Sequence, residues 1–155
     1  MRRLIASALL LTLLATSGAA KDRHASLRVH AQANAVDGAP FAATARSKFS
    51  GKNMTIEKTP RLSERDVMAF YPYPAADGTF GALFEFDAHG KIALDTLSVE
   101  KRGGFLFIYV NGRHVTEMQI DRRVSDGRIY VESGLNAADI ELMKKDWRLI
   151  GKRKK

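Results

Sequence analysis

The chain opens on an unbroken apolar block and then changes rhythm. Leu4 to Ala15 carries no charge, follows Met1-Arg2-Arg3, and runs into the small residues Thr16-Ser17-Gly18-Ala19-Ala20. A charged start, an apolar centre and a small-residue exit read as a cleavable signal peptide over residues 1–20. The block is shorter than the about 20 apolar residues a spanning helix needs. From Ser26 the pattern has period two: Leu27, Val29, Ala31 and Ala33 alternate with Arg28, His30 and Gln32, which predicts a half-buried strand. Asn34 to Ser50 has no period and reads as a long loop, whereas Lys52 to Lys58 alternates again around Met54 and Ile56.

Ser63 with Asp66 three residues on resembles a capping box, but Val67 to Tyr71 runs into Pro72 and Pro74, which favours an edge strand over Val67 to Tyr73. Ala76-Asp77-Gly78 turns the chain into a partner strand, where Phe80, Ala82, Phe84 and Phe86 share a face. Asp87 is placed to cap a helix from Ala88 to about Val99, with Ile92, Ala93, Thr96 and Leu97 as its buried stripe. Lys101-Arg102-Gly103-Gly104 ends it. Phe105 to Val110, Asn111-Gly112 and His114 to Ile120 form the clearest hairpin signal in the chain. A short strand over Arg128 to Val131 and a second helix from Asn136, with Ile140, Met143 and Trp147 on one side, complete the order. The expectation is an α+β fold: an antiparallel sheet with two helices packed on one face, as a single domain over residues 21–151.

Composition refines this only slightly. The formal charge is +8, of which Arg2 and Arg3 belong to the leader and Lys152, Arg153, Lys154 and Lys155 form a basic tail. The body between them is therefore close to neutral, at about +2, and no element interleaves basic with aromatic residues as a nucleic-acid groove does. The tail offers a contact to an anionic envelope surface. There is no cysteine, so stability rests on packing and hydrogen bonds even though a leader points to an oxidising compartment. Together these predict an exported, periplasmic or secreted protein with no transmembrane segment after the leader.

From Thr79 onward the order of elements becomes specific. A strand ending in Glu85-Phe86-Asp87 leads to a helix with Gly90 near its start. Gly103 to Arg113 then supplies an apolar strand and glycine turn, and Ser133 to Ile140 feeds a helix. This resembles the periplasmic head domain of the SecD/SecDF protein-export subunits over about residues 79–147. There a Leu-Asp-x-x-Gly helix start precedes an apolar strand, an Asp-Gly hairpin and a Phe-Thr-x-x-Glu-Ala helix. Asn111 here replaces the hairpin aspartate, Glu117-Met118 stands where the family has Ala-Pro, and Asn136 to Asp139 departs from the last motif. The resemblance implies a head-like domain that contacts polypeptide chains, without the membrane-embedded motor.

No residue pattern calls for a metal or cofactor. His24, His30, His89 and His114 lie on separate elements without ligand spacing. Glu85, Asp87 and His89 read as a helix-capping junction. An enzyme, either a small hydrolase or a carbohydrate-acting one, would need Glu85, Asp95 or Glu117 to meet a histidine in a pocket. The aromatic residues are more informative. Phe105 to Val110 is apolar on both faces, so something beyond the helices must cover the second one: the Asn34–Ser50 loop, the N-terminal strands, or a partner. The expected contact region is the sheet face carrying Phe105, Phe107 and Tyr109, with the edge strand carrying Tyr71 and Tyr73. This gives a non-enzymatic module binding a protein client or a second copy. A structural envelope protein held by its tail is the remaining alternative.

Overall fold

Alternation along β1 (Leu27–Ala31) is reproduced in three dimensions, with Leu27, Val29 and Ala31 buried and Arg28 exposed on the other side. The computed structural model describes residues 22–34 and 36–152; the signal peptide expected over residues 1–20 and the tail residues Arg153, Lys154 and Lys155 lie outside them. The stretch read as a loop holds a second strand, β2 (Ala42–Arg46), which pairs antiparallel with β3 (Asn53–Glu57). Its sequence, Ala-Ala-Thr-Ala-Arg, has too little contrast between its faces to show a period. A two-residue β4 (Leu62–Ser63) follows. The capping box at Ser63 is real, but it closes only a single 3-10 turn over Glu64–Asp66 before the chain extends.

The remaining elements are β5 (Val67–Pro74), β6 (Phe80–Phe86), α1 (Ala88–Glu100), β7 (Phe105–Val110), β8 (Arg113–Gln119), β9 (Arg128–Leu135), α2 (Ala137–Asp146) and β10 (Arg148–Leu149). Both helix starts form as expected: Asp87 accepts from the Gly90 amide, and Asn136 and Asp139 make a reciprocal capping box. Asn111 and Gly112 both take positive φ, the backbone of a type I′ turn. The stripe expected on α1 is misplaced by a fraction of a turn. Leu94 and Leu97 are buried, whereas Ile92 and Thr96 face solvent.

The class is α+β, but the expected single sheet is divided. One sheet has the order β4-β1-β7-β8, the other β10-β5-β6-β9, and only the β10–β5 pair of these is parallel. Their inner faces and both helices share one core. Leu27, Val29, Ile108 and Val110 meet Phe70, Phe84, Ile129 and Val131, closed by Leu94, Leu97, Ile140 and Met143. Trp147, at the end of α2, stands edge-on to Phe70 and Phe84 at 6.2 and 6.0 Å. The two helices thus lie on one side of the strands, leaving each sheet an outer face.

Candidate interaction surface

The outer face of the first sheet carries Phe105, Phe107 and Tyr109, and it is not free. The β2–β3 hairpin covers it, packing Ala45 and Ile56 on Phe107, which is 0% exposed; Phe105 and Tyr109 are half-buried at its margin. The Ala33 amide donates to the Thr55 carbonyl at 2.9 Å, and Gln32 bridges Ile56. The expectation that these three aromatics form a contact surface is therefore corrected: the chain's own hairpin supplies the missing cover.

A buried carboxylate anchors the tip of that hairpin. Glu117, with its side chain 1% exposed, accepts from the Ser47 hydroxyl and from the Phe49 amide at 3.0 Å. Lys48 donates to the Val115 carbonyl at 3.0 Å. The His114 ring stacks on Tyr109 with centroids 5.1 Å apart and places Nε2 4.0 Å from the free side of Glu117. Burial, reinforced by the nearby Lys48 charge, holds His114 below the usual histidine range despite Glu117. Carboxylate and imidazole do meet here, but under hairpin backbone and side chains, where they fasten one element to another.

The other acidic candidates are also engaged. Arg123 grips Asp95 through two bonds of 2.5 and 2.7 Å, which lowers its pKa, and Arg128 lies 3.7 Å from Glu85. Asp66, Asp87 and His89 gather within 4.8 Å of one another. Their ligand atoms already serve the chain ends around them. Asp66 accepts from the Ser63 amide and from His89 Nδ1, both at 2.8 Å, and Asp87 caps α1. The bond to Asp66, more than its charge, raises the His89 pKa. Gly90 is required for this closeness, since a Cβ there would lie 2.8 Å from that of Asp66.

The second sheet's outer face is different. Register aligns Tyr71 with Leu83 and Leu83 with Tyr130, so three strands contribute one continuous row. Tyr71 is 55% and Tyr130 54% exposed, with Leu83 half-buried between them. Tyr73 lies on the same face but is committed inward: its ring covers Gly81, and its hydroxyl donates to the Val131 carbonyl at 2.9 Å. Sequence reasoning does not single out Tyr130, because its strand is short and its exposed face otherwise carries charge; the alternation of buried Ile129 and Val131 with Tyr130 is the available signal.

β5 is less open as an edge than its prolines suggest. The Ile150 amide donates to the Phe70 carbonyl at 2.9 Å, so Phe70 turns its backbone towards β10. Backbone groups alternate in direction along a strand, so Pro72 and Pro74 point the same way, where each lacks a donor. Half the edge is paired and the other half presents no N–H, the arrangement by which sheets resist added strands.

β8 and β9, by contrast, face each other without pairing. They touch where Arg113 donates to the Gly134 carbonyl and then part around a cleft of about 630 Å³ that reaches Leu94, Leu106, Met118 and Tyr130. No helix among the described residues is long and apolar enough to cross a membrane.

No protein-family model matches the chain, and no curated protein matches it by sequence. Its fold is similar to a solved structure of SecDF, described as a membrane component that enhances protein export: TM-score 0.56 and 15% identity, over 85% of this chain and 69% of that one. A crystal structure of SecDF in its super-membrane-facing form matches with TM-score 0.56 and 15% identity, over 81% of this chain and 19% of that one. The likeness takes in more than the Thr79–Trp147 stretch, reaching back into the N-terminal strands. The chain has a SecD/SecDF-like α+β fold.

Proposed function

We propose that the chain is an exported, periplasmic, non-enzymatic interaction module that contacts other polypeptides in protein export or envelope maintenance. The observation that carries this reading is the fold likeness to a protein-export component over 85% of the chain. The Tyr71–Leu83–Tyr130 row supports it by giving the fold an exposed aromatic stripe, the residue type that dominates protein contacts. In this reading Tyr71 and Tyr130 carry the contact, Tyr73 supports the sheet beside them, and the row replaces the covered face of Phe105, Phe107 and Tyr109. The tail from Lys152 adds attraction to anionic surfaces at low salt.

The test is binding of the full chain to a reduced, carboxymethylated α-lactalbumin, which stays unfolded. Replacing both Tyr71 and Tyr130 by Ala is expected to weaken it about tenfold or more while leaving the unfolding midpoint nearly unchanged. Absence of binding by the parent chain would refute the reading.

A further inference from the structure

We propose that the cleft between β8 and β9 accepts one extended polypeptide segment, which pairs with both strands and joins the two sheets into one. This rests on the reading of the chain as a polypeptide-binding module and specifies how the polypeptide is held.

The backbone of each lip turns into the cleft. On β8, the Ile120 amide donates to the Gly104 carbonyl at 2.9 Å, so Ile120 and Met118 face β7, and alternation turns Gln119 and Glu117 outward. On β9, the Phe86 amide donates to the Gly127 carbonyl at 2.9 Å, so Gly127, Ile129 and Val131 face β6, and Tyr130 faces the cleft. Beyond the contact at Arg113 and Gly134, where Lys48 also takes the Val115 carbonyl, the backbones of Gln119 on β8 and Tyr130 on β9 turn to one gap, and no ladder joins the strands.

The opposite ends of the two sheets are closed. β4 has only two residues, and β5 is capped by β10 and by the donorless Pro72 and Pro74. Among the described residues, β8 and β9 are the long edges left in the two sheets. Unpaired edges of this kind are matched by the main chain of another extended segment.

The cleft also selects by chemistry. Its volume falls in the range of about 300–1,000 Å³ typical of ligand sites, and Leu94, Leu106 and Ile129 close the core beneath it. The charges lining it are balanced: Asp121, Asp126 and Glu132 against Arg122, Arg123 and Arg128. Arg123 is held by Asp95, and Arg128 stands beside Glu85. No net field remains to draw a phosphate or an anionic lipid. An extended segment without net charge fits, held by its main chain and with an apolar side chain beside the exposed Tyr130 ring.

The experiment follows amide hydrogen exchange in the full chain, alone and saturated with reduced, carboxymethylated α-lactalbumin. Binding is expected to slow exchange of the Gln119 and Tyr130 amides about tenfold or more. Tyr130→Pro removes a donor that points away from β6, as Pro72 and Pro74 do, and is expected to weaken binding about tenfold while Tyr130→Phe retains it. Gln119→Pro on the opposite lip is the second variant, in case the first does not fold. Binding that leaves these amides unprotected and ignores both prolines overturns strand insertion but leaves the broader reading intact. No binding at about 1 mM overturns both. Protection that grows with the chain's own concentration, without the probe, identifies a second copy as occupant and overturns the client.

Discussion

The hydroxyl of Tyr73 reaches across β6 to the Val131 carbonyl, its ring lying over Gly81. Three strands are tied by one side chain because the middle strand has no Cβ at that point. A Cβ on Gly81 would lie 2.4 Å from both the Tyr73 ring and the Glu132 carbonyl. Gly81→Ala is therefore expected to destabilise the fold by about 1–3 kcal/mol, the usual cost of overpacking. Tyr73→Phe, which keeps the ring and loses the bond, should cost about 1 kcal/mol. Urea unfolding midpoints check both.

Glu117 holds the hairpin tip from beneath, so its removal should act locally. Glu117→Ala is expected to cost about 1–3 kcal/mol through the donors left buried on Ser47 and Phe49. It should speed hydrogen exchange across β2 and β3 more than in β6 or β9. Uniform acceleration would show that the hairpin and the main core open together.

Two histidines should respond to pH in opposite directions. His89 has its pKa raised by Asp66, so its contribution is fully present below about pH 6.5 and is lost as pH rises through the folded value. His114 has its pKa lowered by burial, so the fold loses stability as pH falls below about 6.5 towards the folded value. His89→Gln should remove the gain at acid pH, and His114→Gln the loss. Thermal unfolding of the parent and both variants between about pH 5 and 8 separates them.

Gly90 lies in the first turn of α1, where alanine would ordinarily favour the helix by about 1 kcal/mol. Its neighbours reverse that sign. A Cβ would lie 2.8 Å from Asp66 Cβ and 2.9 Å from Phe86 Cβ. Gly90→Ala is expected to be net destabilising by about 1–2 kcal/mol and to weaken the Asp66–His89 bond. A lowered His89 pKa in the variant, read by NMR titration, would report the second effect.

The features legible in the sequence were those whose cause is local. Asp87 and Asn136 cap their helices with amides three residues away, and Asn111-Gly112 turns its hairpin through its own φ angles. What stayed hidden depends on partners far along the chain. Ser47 and Glu117 meet across 70 residues, and β2 is a strand only because β3 lies beside it. The doubly apolar Phe105–Val110 strand correctly signalled a second cover without saying which segment supplies it. Tyr71 lies on a strand whose prolines mark a sheet end, whereas its alignment with Tyr130 follows from a register that neither strand encodes alone. The split between β8 and β9 left no mark, since an unpaired edge and a paired one carry similar residues.

The place of β1 between β4 and β7 has a kinetic side. Leu27 to Ala31 pairs with Leu106 to Val110, and β5 is completed by Arg148 and Leu149. Each sheet therefore waits for residues about eighty positions further on before its backbone is satisfied. Loop closure of that span must come before any of the pairing it permits, which places such topologies among the slower folders. A chain built this way spends its early life open, and it gains its shape only once nearly all of it is present.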